Sequence, residues 1–289
     1  MTPEEAFIQA IRAAPADDAS RLIYADWLDE HGHPDRAEFI RIQCRTFRLA
    51  EEDQRATALC VRAEELLRSH WEEWVGPLRD IVGLWCDRYG EGWLRQDFSR
   101  DALGRFPRGF IERLSLDAED YLRHAHTLRR LTPLGKLLLW GGGRCMARLA
   151  QEPSLAGLSA LGFTDYYDAP LTARDAAVLA SSPYLNGLRM LLLGWNSLGD
   201  AGVEALVRAP WLAGLRFLDL SENGLSDRGA IALAESPYLG SLQALLLHKN
   251  AFSSTGIGAL TRSANLRCLR RLEYDPPTDN GFSVGNDAP

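Results

Sequence analysis

The sequence contains few lysines and more acidic than basic residues, and this excess of negative charge argues against two classes of partner. Only two of its 32 basic residues are lysines, Lys136 and Lys249, and the formal net charge is −7. Proteins that bind nucleic acid or an anionic membrane through their general surface need a basic surface. The composition therefore predicts that neither nucleic acid nor a membrane is a partner.

The sequence also lacks paired cysteines and long apolar runs. Its five cysteines are an odd number in 289 residues, and none belongs to a CxxC pair. This pattern is typical of reduced thiols that serve as small apolar side chains in the cytosol. The first residues, MTPEEAF, lack the apolar run of a secretory signal, and stretches such as Leu137–Trp140 are too short to span a bilayer. We therefore expect a cytoplasmic protein.

What the sequence does contain is an internal repeat in its C-terminal half. Segments that begin at Leu188, Leu215 and Leu242 align without gaps, 27 residues apart, and each starts with L-x-x-L-x-L-x-x-N. In this pattern the leucines point inward from a short strand, and the asparagine satisfies backbone groups where the strand turns away. Three copies in phase predict leucine-rich repeats.

The second half of each repeat has the character of a helix. It contains a shared glycine, at Gly202, Gly229 and Gly256, and its apolar residues recur at helical spacing. We expect helix N-caps at three positions: Asp200, Asp227 and Ser254. Degenerate copies extend the array on both sides, with strands predicted to begin near Ile111, Leu134, Leu158 and Leu269.

These repeats predict an α/β fold, a right-handed solenoid with about seven parallel strands on its concave face and helices on its convex face. Thr2, Asp18 and Pro34 are predicted to open helices of a separate N-terminal α-helical domain. We predict a helical domain over 1–75, a connector or N-terminal cap over 76–109, the solenoid over 110–275 and a disordered tail over 276–289.

The repeats resemble a known class. The 27-residue period and the DxGxxALxxxP type of second half resemble the ribonuclease-inhibitor-like leucine-rich repeats. This resemblance implies a curved solenoid that binds proteins and has no catalytic apparatus. The sequence departs from the class because the array is short and does not alternate long and short repeats.

The N-terminal region carries a second resemblance. The string RLIYADWLDEHGHPDRAEFIRIQ, residues 21–43, resembles the repeat-companion domain found ahead of leucine-rich repeats in planctomycete-type bacterial proteins. The segment Phe106–Glu112 resembles the connector of the same family. The resemblance implies a bacterial protein of this architecture, but it implies no activity, because the biochemical role of the family is not established.

We predict a non-enzymatic scaffold that binds a partner protein on the concave face of the repeats. Apolar and aromatic side chains in the outward positions of the strands carry this prediction, since such patches mark interaction sites. The candidate partner-binding residues are Leu138, Trp140, Tyr166, Tyr167, Met190, Leu192, Trp195, Phe217, Asp219, Leu246 and His248. The alternative is a structural or assembly subunit that buries the same face against another copy, as a homo-oligomer, or against another subunit.

No residues are predicted to hold a metal or a cofactor. Acidic residues and the pair His31 and His33 cluster between Asp26 and Asp35, which we interpret as a solvated helix end. The triplet Gly141–Gly143 belongs to neither GxxxxGK[ST] nor GxGxxG, the phosphate-binding motifs. The motifs GxSxG and HExxH are also missing, so the sequence predicts no catalytic residues.

Overall fold

The computed structural model describes residues 2–49, 54–75, 78, 81, 107–164 and 169–277. Its residues group into two units: Met1–Leu114 with Arg123–Lys136, and Ser115–Leu122 with Leu137–Pro289. Most of the predicted connector, and the predicted tail from 278 onward, lie outside the described residues. Of the helices in the described ranges, none combines the length and the apolar character that a membrane crossing demands.

The first unit begins with four helices: α1 (Pro3–Ala13), α2 (Ala19–Glu30), α3 (Pro34–Thr46) and α4 (Gln54–Val75). The predicted start of α1 is confirmed, because Thr2 and Glu5 form a capping box. The Thr2 hydroxyl accepts the Glu5 N–H at 3.2 Å, and the Glu5 carboxylate accepts the Thr2 N–H at 3.0 Å. Asp18 is the N-cap residue of α2, and Gly32, at a φ of +86°, follows the end of that helix.

The connector just before the repeats is part of the core of the first unit. A 3₁₀ turn, Pro107–Gly109, lies against α3, where a Cβ on Gly109 would approach Ile40 Cγ1 to 2.7 Å. Only glycine fits here, since the φ of Gly109 is also +91°. The next residue, Phe110, packs with apolar side chains of α1, α2 and α3, namely Ile8, Ile11, Tyr24, Ala25, Leu28, Ala37, Ile40 and Cys44.

Charged side chains also lie in the interior of the first unit. Arg21, on α2, is fully buried and forms an ion pair with Glu112. Arg108 lies 3.4 Å from Asp18 and 3.2 Å from the other oxygen of Glu112. We call these four residues the buried charge network. Arg21 and Glu112 are 91 residues apart in the chain, so the network joins the second helix to the segment that leads into the first strand.

Strands and helices alternate through the repeat region. The strands are β1 (Arg113–Asp117), β2 (Lys136–Trp140), β3 (Ala160–Phe163), β4 (Met190–Leu192), β5 (Phe217–Asp219), β6 (Ala244–Leu246) and β7 (Arg271–Glu273). The helices between them are α5 (Ala118–Leu131), α6 (Gly142–Leu149), α7 (Ala173–Ala180), α8 (Gly199–Leu206), α9 (Asp227–Glu235) and α10 (Ser254–Thr261). The seven strands form one sheet in chain order, as the repeat predicts.

The register of the sheet stacks the repeated leucines. From β3 to β7 the pairs are parallel, and Leu161, Leu191, Leu218 and Leu245 occupy equivalent positions without any exposed surface. Each fully buried leucine contributes about 1.5–3 kcal/mol through the hydrophobic effect. Their neighbours in the chain point to the opposite side of the sheet, so the predicted alternation is confirmed.

The repeated asparagines form an amide ladder beside this leucine stack. Asn223, for example, accepts the Leu198 N–H at 3.3 Å and donates to the carbonyl oxygens of Leu193 and Ser221 at 2.7 and 3.0 Å. Asn196 and Asn250 make equivalent bonds: each accepts an N–H from 25 residues earlier, of Leu171 and Leu225, and donates to carbonyl oxygens of its own and of the preceding repeat. The ladder satisfies backbone groups that would otherwise be buried without partners.

The predicted helix caps are wrong, and the structure shows a different role for the aspartates. The N-cap residues are Leu198, Ser226 and Ser253, because each helix begins one or more residues earlier than the sequence suggests. Asp200 instead accepts the N–H groups of Ser226 and Gly229 in the following repeat, both at 2.9 Å. The aspartates thus tie one repeat to the next.

This tie explains the repeated glycine. A Cβ on Gly229 would lie 2.6 Å from Asp200 Oδ1, and one on Gly256 would lie 2.3 Å from Asp227 Oδ1. Since real Cβ atoms do not approach that closely, the aspartate of one repeat requires the glycine of the next. The right-handed, curved solenoid of the sequence analysis stays a prediction.

Candidate interaction surface

The side chains that β2 to β7 project away from the leucine stack form the candidate surface, which we call the sheet face. Strand register orders them into rows that cross the strands. One row contains Ala160, Met190, Phe217, Ala244 and Arg271, and the next contains Gly162, Leu192, Asp219, Leu246 and Glu273. Strands lie about 4.8 Å apart, so neighbours within a row are in side-chain contact range.

Several predicted residues lie together on the sheet face. Met190 is 36% exposed, whereas Leu192, Phe217 and Leu246 around it are half-buried. Leu138 and Trp140, on β2, are half-buried as well. The face is therefore apolar at its centre. Its side chains are only partly exposed to solvent, because outward side chains of adjacent strands cover one another.

A glycine on β3 makes room for one of these side chains. Gly162 is buried, and a Cβ there would lie 2.6 Å from Leu138 Cδ1 and 3.1 Å from Leu192 Cβ. The leucines of β2 and β4 thus approach each other across β3. Tyr166 and Tyr167, which the sequence analysis placed beside this region, lie outside the described residues.

Asp219 is the acidic residue at the centre of the face. Register places it between Leu192 and Leu246, one strand away on each side. Its Oδ1 accepts the N–H of Ser221 at 2.9 Å. Its Oδ2 lies close to Gly194, since a Cβ added to that glycine would be 3.1 Å from this oxygen. The carboxylate is half-buried and keeps its position through the backbone of its own repeat.

Charged groups collect at the last strands. His248 Nε2 lies 3.1 Å from Glu273 and its Nδ1 lies 3.4 Å from Asp275. The hydrogen bond that His248 donates to Glu273 raises the pKa of His248. Partial burial lowers this pKa, and the hydrogen bond donated to Asp275 raises it further. Arg271, followed by His248, lowers the pKa of Glu273 by hydrogen bonding. The two carboxylates meet opposite ring nitrogens, so these three side chains do not converge on one metal ion.

Three residues form a group at the edge of the sheet face. The sequence analysis predicted Trp195 as a candidate but missed the other two, Glu222 and Lys249. Trp195, Glu222 and Lys249 precede the ladder asparagines, and all three have positive φ angles of 62°, 53° and 54°. Lys249 Nζ lies 4.4 Å from the centre of the Trp195 ring and forms an ion pair with Glu222. Their 27-residue spacing was a usable signal, since Gly141 fills the same position, at φ +69°, in an earlier repeat.

The other candidates of the sequence analysis have internal partners. In the acidic helix end, Asp26 and Asp29 both form ion pairs with Arg41, and His31 stacks on Trp27 at 4.1 Å. Among the described residues, no group of three or more potential ligands could hold a metal ion. In the glycine triplet, Gly141 is the left-handed N-cap residue of α6, and Arg144 pairs with Asp117.

Two buried thiols are poor nucleophiles. Burial raises the pKa of Cys44 to about 11, and it raises the pKa of Cys145 to about 11 as well. Both therefore stay protonated near neutral pH, and the thiolate is the reactive form of cysteine. These residues serve as small apolar side chains in the two units.

The comparison with known families agrees with the repeat. A family model described as Leucine Rich repeat matches residues 188–207 and 215–234. No curated protein matches the chain. The matched segments contain the strands β4 and β5, which carry Met190, Leu192, Phe217 and Asp219. The chain thus contains two leucine-rich repeats within 188–234, a kind of repeat that generally mediates protein–protein interaction and is typically not catalytic.

Proposed function

We propose that this protein is a non-enzymatic interaction module that holds a partner protein on its sheet face. The observation that carries the proposal is the run of large apolar side chains on the side of the sheet opposite the leucine stack. Met190 is exposed there, beside the half-buried Leu192, Phe217 and Leu246. Apolar side chains that are gathered in this way favour contact with another protein.

The finer classification is part of the same proposal. The repeats form a right-handed solenoid of the ribonuclease-inhibitor-like class, and a bacterial repeat-companion domain of the planctomycete type precedes them. The protein acts as a cytoplasmic scaffold. Its net charge of −7 supports a protein partner over nucleic acid or an anionic membrane.

A pair of single variants tests the proposed face. Met190 on the sheet and Ile231 on α9 are both 36% exposed, so Met190→Glu and Ile231→Glu change matched side chains on opposite sides of the repeats. Proteins captured by the wild type from a lysate of the host are identified, expressed and measured by calorimetry. We expect Met190→Glu to weaken binding at least about tenfold, because it places a charge in an apolar contact.

The control decides how a loss of binding is interpreted. Ile231→Glu is expected to leave the dissociation constant unchanged, and both variants are expected to keep the thermal midpoint of the wild type. Equal losses in both variants would assign the contact to another surface. Wild-type affinity in Met190→Glu would rule out the sheet face.

Light scattering tests the alternative of an assembly subunit. A mass of 32.1 kDa at all concentrations is expected for a module that leaves its sheet face free for another protein. If the mass instead rises with concentration, and Met190→Glu returns it to 32.1 kDa, the face is buried against a second copy. That outcome would replace the proposed function with the structural one.

A further inference from the structure

Among the described residues, the carboxylate of Asp219 is the one acidic group at the apolar centre of the sheet face. Leu192 and Leu246 flank it along its row, and Phe217 precedes it on the same strand and the same face. Its only hydrogen bond within the described residues is the one that Oδ1 accepts from the Ser221 N–H. One N–H leaves most of the acceptor capacity of a carboxylate unused.

Asp219 differs in this respect from the other acids of the face. Glu273 has an ion pair with Arg271 and a contact with His248, and Asp275 contacts His248 and accepts the Lys249 N–H. Within the ranges that the structure describes, Asp219 has no arginine, lysine or histidine within ion-pair distance. It is a half-buried carboxylate with unused acceptor capacity.

We infer that the partner presents a basic side chain, an arginine or a lysine, to Asp219, with apolar side chains around it. The inference rests on the proposed function, because it requires a protein to cover the sheet face. Covering Asp219 removes its water, and a carboxylate that loses water without gaining a cation is strongly unfavourable. A guanidinium or ammonium group restores the charge balance and donates to the unused lone pairs.

Charge complementarity also argues against a second copy as the occupant. A twofold contact would place the sheet face against itself, because a symmetric interface uses the same patch on both subunits. In a contact centred on Asp219, the two Asp219 carboxylates would lie near each other at the symmetry axis, and within the described residues neither has a cation at ion-pair distance. A basic segment of a different protein meets no such repulsion.

A peptide selection on the full chain tests the inference. A phage-displayed library of short random peptides is selected on wild-type protein and, in parallel, on Asp219→Asn. The asparagine keeps an oxygen that can accept the Ser221 N–H, so the local fold is preserved while the charge is removed. We expect the wild type, but not Asp219→Asn, to enrich peptides in which an arginine or lysine lies among apolar residues.

The enriched peptides are then synthesised, and their dissociation constants are measured against three proteins. Asp219→Asn is expected to bind them at least about tenfold more weakly than wild type, as a charge-assisted contact predicts. Glu235→Gln is the control: it removes the negative charge of an exposed residue on α9 of the same repeat, and it is expected to bind the peptides like wild type. Replacing the basic residue of the peptide by glutamine is expected to abolish the difference between wild type and Asp219→Asn.

Each contrary outcome has a separate meaning. Enriched peptides that are purely apolar, or that bind Asp219→Asn as well as wild type, would overturn the inference and leave the proposed function intact. A library from which the wild type enriches nothing would contradict the proposed function and the inference together. A wild-type dimer that Asp219→Arg dissociates would assign the face to a second copy and also overturn the inference.

Discussion

The helical unit and the repeats satisfy their buried polar groups in different ways. In the helical unit the groups are charged: Arg21 is 0% exposed and depends on Glu112 and on the Asp17 carbonyl oxygen. In the repeats they are neutral amides: Asn223 is 1% exposed, and its side chain bonds to three backbone groups. Both arrangements hold distant parts of the chain together, but only one of them can be repeated.

The difference follows from electrostatics. A buried ion pair must offset the loss of hydration of two ions, so its geometry is specific to one place in the chain. Within the described residues, Nε of Arg21 and Nε of Arg108 have no hydrogen-bond partner, which shows how hard such a network is to satisfy completely. An asparagine that bonds to backbone needs only the backbone of its neighbours, and every repeat supplies that.

The largest expected effect comes from breaking the buried charge network. Glu112→Leu leaves Arg21 and Arg108 without their shared carboxylate, and we expect a loss of about 4 kcal/mol in the free energy of unfolding, measured in urea by circular dichroism. Adding Arg21→Met removes one stranded charge, so the double variant should recover part of the loss. A double variant as unstable as the sum of the two single ones would contradict this account.

The amide ladder should be somewhat less sensitive. Asn223→Ala leaves the buried Leu198 N–H without a partner inside the protein and removes one of the two hydrogen bonds that the Leu193 and Ser221 carbonyl oxygens each accept. We expect a loss of about 3 kcal/mol in the same measurement. Asn250 makes similar bonds but is half-buried, so water can replace the amide in Asn250→Ala and the loss should be about half as large. Equal losses at both positions would show that burial does not determine how much each asparagine contributes to the free energy of unfolding.

A smaller effect is expected where one repeat contacts the next. The Cβ in Gly229→Ala would displace the Asp200 carboxylate and weaken its bonds to the Ser226 and Gly229 N–H groups, at a cost of about 2 kcal/mol. Gly240→Ala is the matched control, because its nearest neighbour, Arg267, would lie at an ordinary 3.5 Å. Gly229→Ala should have a lower thermal midpoint than Gly240→Ala. Equal midpoints would show that the aspartate does not require the glycine.

The smallest expected effect is the pH dependence of the exposed charges on the last strands. Because the pKa of His248 is raised from 6.5 in the folded protein, its charged form adds stability. This contribution is complete below pH 6.5 and is lost as the pH rises through the raised value. Solvent screening keeps it below about 1 kcal/mol. The difference in unfolding free energy between wild type and His248→Gln should therefore shrink from acidic to alkaline pH; a constant difference would contradict it.

Local patterns made much of the fold predictable. The leucines recur at fixed spacing and alternate with outward residues, so their stacking follows from the periodicity of a strand. Thr2 and Glu5 carry their capping interaction within one turn, and sequence analysis found it. The helix caps of the repeats were misassigned because Asp200 and Asp227 act on the next repeat, and spacing within one repeat does not reveal a partner in another.

The candidate surface was predictable in its residues but not in its exposure. Alternation identified Met190, Leu192 and Phe217 as outward side chains. Their burial depends on neighbours one strand away, such as Leu138 above Gly162, and a single strand carries no information about these neighbours. The isolation of Asp219 from cations has the same origin, since it depends on the side chains of β4 and β6.

The sequence by itself determined the repeat, the parallel order of the strands and the places of the leucines and asparagines, because each follows from periodicity along the chain. Tertiary structure alone decided which charges are paired. Arg21 meets Glu112 across 91 residues, while Asp219 meets no cation among the described residues. Contacts of this kind form only when the backbone has brought distant segments together, so no local spacing encodes them.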